Sequence, residues 1–88
     1  MTDRVFVQNK HGIHLRAAAQ LVRVASAFHS LIIIKCGDKA ASAKSLLAVL
    51  ELAVPQGAEL EIEAQGDNAP QALVALHHLV AERFGEPE

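Results

Sequence analysis

Between Gly12 and Ala19 the chain reads Gly-Ile-His-Leu-Arg-Ala-Ala-Ala, a glycine turn that delivers His14 and Arg16 to the start of an alanine-rich helix. A helix start exposes backbone N–H groups with no intrahelical partner and carries a partial positive charge, so it favours anions. An imidazole placed there can act as a nucleophile near neutral pH. An arginine two residues on can fork onto phosphate oxygens. Together these groups can accept and hold a phosphoryl group. The same residues also have a plainer reading, in which His14 is a solvated loop residue and Arg16 pairs with a nearby carboxylate.

The elements that must position this octet follow from the pattern of apolar residues. Val5, Phe6 and Val7 predict a first strand over 4–8, and Asn9 to Gly12 a turn. Leu21, Val22, Ala25 and Phe28 recur at helical spacing and predict a helix over 16–27. Leu31 to Ile34 is strongly β-forming, Gly37-Asp38 is a hairpin turn, and a short return strand is expected over 39–42. A short helix over 45–53 carries Leu46, Leu47, Leu50 and Leu52 as its apolar residues, and Pro55-Gln56-Gly57 breaks it. Leu60 to Ala64 alternates as a half-buried strand does. After a turn and cap at Gly66-Asp67-Asn68, Leu73, Leu76, Val80 and Phe84 mark a last helix over 69–83, stopped by Gly85 and Pro87. The order β-α-β-β-α-β-α predicts an α+β fold, one antiparallel sheet with helices on one face.

Composition narrows the function classes. A chain of 88 residues is one small domain with a modest core, which leaves little room for a deep substrate pocket and favours a carrier or binding module over a self-contained enzyme. Hydrophobic residues make up 51% of the chain, enough to fold without metal or disulfide staples. Cys36 is the only cysteine, so there is no intrachain disulfide, and a reducing, cytoplasmic setting fits. The net charge of −2, the absence of Trp and Tyr and the lack of a basic block argue against nucleic-acid binding. No apolar segment is long enough to span a bilayer, and the N-terminus does not read as a signal peptide. His11 and His14 lie three apart in a loop, without the further ligands that a metal site needs.

Gly12-Ile13-His14-Leu15-Arg16-Ala17-Ala18-Ala19-Gln20-Leu21-Val22 resembles the phosphohistidine motif of the HPr family, the phosphocarriers of the phosphoenolpyruvate-dependent phosphotransferase system. Lys39 to Leu47 is similar to the family's second signature, around its regulatory serine. The resemblance covers the whole chain as a single domain. It implies an open-faced β-sandwich of four antiparallel strands and three helices. His14 would be phosphorylated through Nδ1, receiving the group from enzyme I and passing it to an enzyme IIA-type acceptor. Arg16 and the backbone N–H groups of Arg16 and Ala17 would steady the phosphoryl oxygens. No cofactor or metal is implied, and the carrier is expected to work as a monomer. The family usually has a small residue where Leu15 stands, and its sugar-type members have proline where Ala17 stands. The Arg-Ala pairing and Asn9-Lys10 look like the nitrogen-related branch, so both sugar uptake and a regulatory phosphorelay stay open.

Ser45 precedes a leucine-rich helical turn, where serine caps a helix well. The resemblance adds a second role, as the target of a serine kinase/phosphorylase in some bacteria, with Lys44 as the basic residue of that signature. A leucine stripe at helical spacing usually faces the core, yet in the family the apolar residues after the serine belong to a docking patch with the first helix. Leu15, Ala19, Gln20, Lys44, Leu46, Leu47 and Leu50 are the docking candidates, with Leu47 the leading exposed one. A different class of function remains beside the carrier: a non-transferring regulatory module that binds partners and is switched at Ser45.

Overall fold

A computed structural model describes residues 1–88. Strand β1 (Thr2–Phe6) leads to helix α1 (Leu15–Ser26), then the hairpin of β2 (Leu31–Cys36) and β3 (Lys39–Ser42). Helix α2 (Leu46–Glu51), strand β4 (Glu59–Gln65) and helix α3 (Ala69–Ala81) follow, and a 3-10 turn at Arg83–Gly85 closes the chain. The four strands form one antiparallel sheet in the order β1-β4-β2-β3.

The alternation read in β4 fixes its register. Leu60, Ile62 and Ala64 point to the core, opposite Val5 on β1 and Ile34 and Ile32 on β2. The helices lay Ala17, Ala18, Leu21 and Ala25 of α1, Val49 of α2 and Ala72, Leu76 and Val80 of α3 over that face. Alanines dominate the buried face of α1, so its backbone can approach the sheet closely. The other face of the sheet carries Arg4, Glu61, Lys35 and Glu63 in a ladder of ion pairs from 2.8 to 3.9 Å, with Phe6 and Leu31 exposed at its margins.

Several boundaries differ from the sequence expectation, each for a physical reason. The first strand lies two residues earlier than 4–8, because the ladder starts where the Ala64 N–H donates to the Met1 carbonyl at 2.9 Å. The polar Thr2-Asp3-Arg4 belongs to the strand, whereas Val7, though fully buried, bonds to the loop residues Gly57 and Ala58. Helix α2 is shorter than 45–53: Leu52 caps it and Ala53 turns left-handed at φ 52°. Its buried residue is Val49, while Leu46 and Leu47 face outward. The last helix stops at Ala81 and not at 83, and Phe84, expected on its apolar stripe, sits beyond it in a left-handed conformation. Phe84 is still 1% exposed, so it anchors the closing turn in the core without being helical.

Candidate functional site

Gly12 sets the entry to α1. Its φ of +63° is costly for any residue with a Cβ, and a Cβ built there would lie 2.3 Å from the Val54 carbonyl oxygen. The next N–H, of Ile13, donates to that same oxygen at 2.9 Å, and the Ile13 side chain is buried. The loop is therefore pinned on both sides of the glycine before it reaches His14.

His14 is the N-cap of α1. Its extended backbone aims the ring back at the first turn, where Nδ1 accepts from the Arg16 N–H at 3.3 Å. A ring nitrogen that accepts a hydrogen bond carries a lone pair and no proton. The Ala18 N–H donates to the His14 carbonyl at 2.8 Å, which leaves the Ala17 N–H, one residue earlier, without an intrahelical acceptor. Arg16 is exposed and makes no ion pair within 4.0 Å, although it shares a cleft with Glu86 and its charge reaches that carboxylate. His11 stands edge-on to the His14 ring, with centroids 5.9 Å apart. His11, His14 and Arg16 line one cleft together with Glu86, Pro87 and Glu88.

Two members of this site were not read from the sequence. The His14 Nε2 lies 2.5 Å from Glu86 Oε2, and the buried Asn9 donates from Nδ2 to Glu86 Oε1 at 3.1 Å and to the Gly12 carbonyl at 2.7 Å. Asn9 thus ties the loop that carries His14 to the tail that carries Glu86. Burial pushes the Glu86 carboxyl up, but the hydrogen bonds from His14 and Asn9, with the nearby charge of Arg16, outweigh it and leave it below the ordinary value of 4.5. In the sequence Asn9 reads as a turn residue and, with Lys10, as a mark of the nitrogen-related branch, and Glu86 only as a neighbour of helix-stopping residues; neither reading places them at the site.

The docking candidates gather on the helices next to the site. Leu15 is 61% and Leu47 73% exposed; Leu46 is at the margin of exposure, and Ala19, Gln20 and Leu50 are half-buried. Helices α1 and α2 pack on each other, so these residues belong to one side of the molecule. Lys44 is exposed, and its ammonium donates to the Phe28 carbonyl at 2.6 Å, past the end of α1. Ser45 is the N-cap of α2, its Oγ accepting from the Ala48 N–H at 3.4 Å. No group of three His, Cys, Asp or Glu side chains is placed to hold a metal, and no helix is long and apolar enough to cross a membrane.

A sheet covered on one face by helices, with an accessible imidazole and an exposed arginine at a helix start, defines a small α+β module that carries a histidine at its surface. Residues 1–82 match the family model described as the PTS HPr component phosphorylation site. The phosphocarrier protein HPr of Haemophilus influenzae is 48% identical over 71 residues, 81% of this chain and 80% of that protein. A crystal structure of HPr-C-His from Thermoanaerobacter tengcongensis superposes with a TM-score of 0.95 at 35% identity, covering 100% of this chain and 99% of that one. The phosphoryl donor subunit DhaM of the PEP-dependent dihydroxyacetone kinase of Klebsiella michiganensis is 36% identical over 83 residues, 94% of this chain but 18% of that subunit. The chain belongs to the HPr family of phosphocarriers of the phosphotransferase system, and it has that family's fold.

Proposed function

We infer that this chain carries a phosphoryl group on His14, accepting it through Nδ1 from phosphoenolpyruvate-loaded enzyme I and passing it to an enzyme IIA-type acceptor, for sugar uptake or a regulatory phosphorelay in the cytoplasm. The observation that carries this reading is the position of Nδ1. It holds a lone pair over the first turn of α1, where N–H groups and an unpaired Arg16 converge. Once phosphorus bonds Nδ1, the Arg16 N–H loses its acceptor and is free to donate to a phosphoryl oxygen, with Ala17 beside it. Transfer between proteins needs positioning and charge stabilisation, which this start of a helix supplies. The exposed Leu15 and Leu47, with Ala19, Gln20, Lys44, Leu46 and Leu50 around them, are the proposed contact surface for donor and acceptor alike. The likeness to a subunit named a phosphoryl donor supports the same direction of flow.

A second reading concerns Ser45. Its hydroxyl stands at the start of α2 next to Leu46 and Leu47, so a phosphate from a serine kinase would add close to two negative charges at the edge of that surface. It would act as a regulator of docking, or as the main switch of a non-transferring module. The two readings separate in a chase experiment. The chain is loaded with enzyme I, magnesium and phosphoenolpyruvate, repurified, and mixed with an enzyme IIA-type protein. A carrier loses its phosphoryl group to the acceptor; a chain that never loads, beside an active enzyme I, is the regulatory module.

A further inference from the structure

The contact between His14 and Glu86 joins residues 72 positions apart, and several features of the chain exist to make it. Arg83, Phe84 and Gly85 all have positive φ, at 57°, 54° and 77°. Two consecutive left-handed residues other than glycine are strained, and such strain persists only where the surroundings over-determine it. Here the buried Phe84 ring holds the turn, and the turn sends the chain back toward α1. Asn9, fully buried, then grips the carboxylate through Oε1 and leaves Oε2 for the imidazole. The Glu86 side chain is 9% exposed and that of His14 33%, so the carboxylate is largely covered while the ring stays accessible, with Nδ1 facing the helix start.

We propose that Glu86 is a positioning residue for phosphoryl transfer, holding the proton of His14 on Nε2 so that Nδ1 presents its lone pair. This rests on His14 being the phosphoryl acceptor. The two hydrogen bonds agree on one tautomer: Nδ1 accepts from Arg16, so Nε2 is the nitrogen that donates to the carboxylate. In the transfer step Nδ1 supplies the electron pair of the new N–P bond, while the bond from phosphorus to the donor breaks and its pair leaves with the donor. The Nε2 proton stays where it is. The product ring then bears a positive charge that the neutral imidazole lacked, 2.5 Å from a carboxylate already in place. An interaction that strengthens as charge develops accelerates the step. On unloading, the same protonated ring departs from phosphorus as a neutral imidazole, so one carboxylate serves both directions.

The test compares the full chain with Glu86→Gln and Glu86→Ala in single-turnover transfer from phosphorylated enzyme I, with far-ultraviolet dichroism and Tm as checks on folding. The expected result is a rate roughly tenfold lower in both variants with the fold retained, a loss in the range seen when a partner that orients a histidine is removed. A readout that packing alone would not move is the carboxyl carbon of Glu86 by NMR, which should titrate higher in His14→Ala than in the parent. Rates within twofold of the parent, a faster variant, an unmoved Glu86 carboxyl, or phosphorus NMR placing the phosphoryl on Nε2 would each overturn the proposal. If the parent loads on Nδ1 and the Glu86 variants are as fast, the carrier reading stands without this residue. If the parent does not load at all, both fall.

Discussion

The two nitrogens of the His14 ring have different neighbours, and that asymmetry is the centre of the site. One faces backbone N–H groups at a helix start, the other a carboxylate held by Asn9. Arg16 stands beside them with its guanidinium unpaired, so its charge is available to an incoming anion. Arg16→Ala should therefore lower the rate of phosphoryl transfer by roughly tenfold or more, as loss of a charge-stabilising donor does. Its Tm should be unchanged because the side chain is exposed; equal rates in stopped-flow transfer would remove its role. At this scale the sequence was half legible. His14, Arg16 and Ala17 are neighbours in the chain, and their spacing from Gly12 already places them at a helix start. Glu86 and Asn9 lie at opposite ends of the chain, and no local pattern links them. Only the closing turn around Phe84 brings them together.

Among the elements, the junction between the loop and α1 is the least tolerant. A methyl group at Gly12 would meet the Val54 carbonyl, and the backbone there is left-handed. Gly12→Ala should cost about 2 to 4 kcal/mol by chemical denaturation, from αL strain together with the clash. An unchanged midpoint would show that the turn has room to spare. Helices α1 and α2 carry the opposite tolerance on their outer faces. Leu47 is 73% exposed, so Leu47→Glu should leave the Tm within about a degree while weakening the complex with enzyme I by roughly tenfold in titration calorimetry. Undiminished affinity would take Leu47 out of the contact surface. Element types and their order were readable because each apolar run has a clear period. Ends were less so. The polar Thr2-Asp3-Arg4 could not be recognised as strand without knowing that β4 pairs with it, and Phe84 kept the helical spacing after the helix had ended.

Over the whole molecule, the shifted carboxylates set how stability follows pH. Glu63 is held below its ordinary value by the hydrogen bond from Lys35, and Glu86 by His14 and Asn9 against the pull of burial. A carboxyl whose folded value is depressed stabilises the fold above its unfolded value and loses that contribution as pH falls through the folded one. Lys35, raised by its bond to Glu63, contributes below its ordinary value of 10.5 and loses this as pH rises through the folded value. The Tm should thus be flat from near neutrality down to about pH 4.5 and fall below it. The decline should be shallower in Glu86→Gln, and salt should erode the exposed Lys35–Glu63 part. A parent and Glu86→Gln with superimposable acid limbs would contradict that assignment. The fold class was legible at this scale because one face of every element is apolar. The polar ladder on the far face of the sheet, from Arg4 through Glu61 and Lys35 to Glu63, needed the strand order β1-β4-β2 to become visible.

Intact mass decides whether His14 carries a phosphoryl group. The parent chain and His14→Ala are each incubated with enzyme I, magnesium and phosphoenolpyruvate. One phosphoryl group should be added to the parent and lost on brief acid treatment, and none should be added to the folded variant. Equal loading of His14→Ala, or a parent that gains nothing beside an enzyme I active on another carrier, would contradict this.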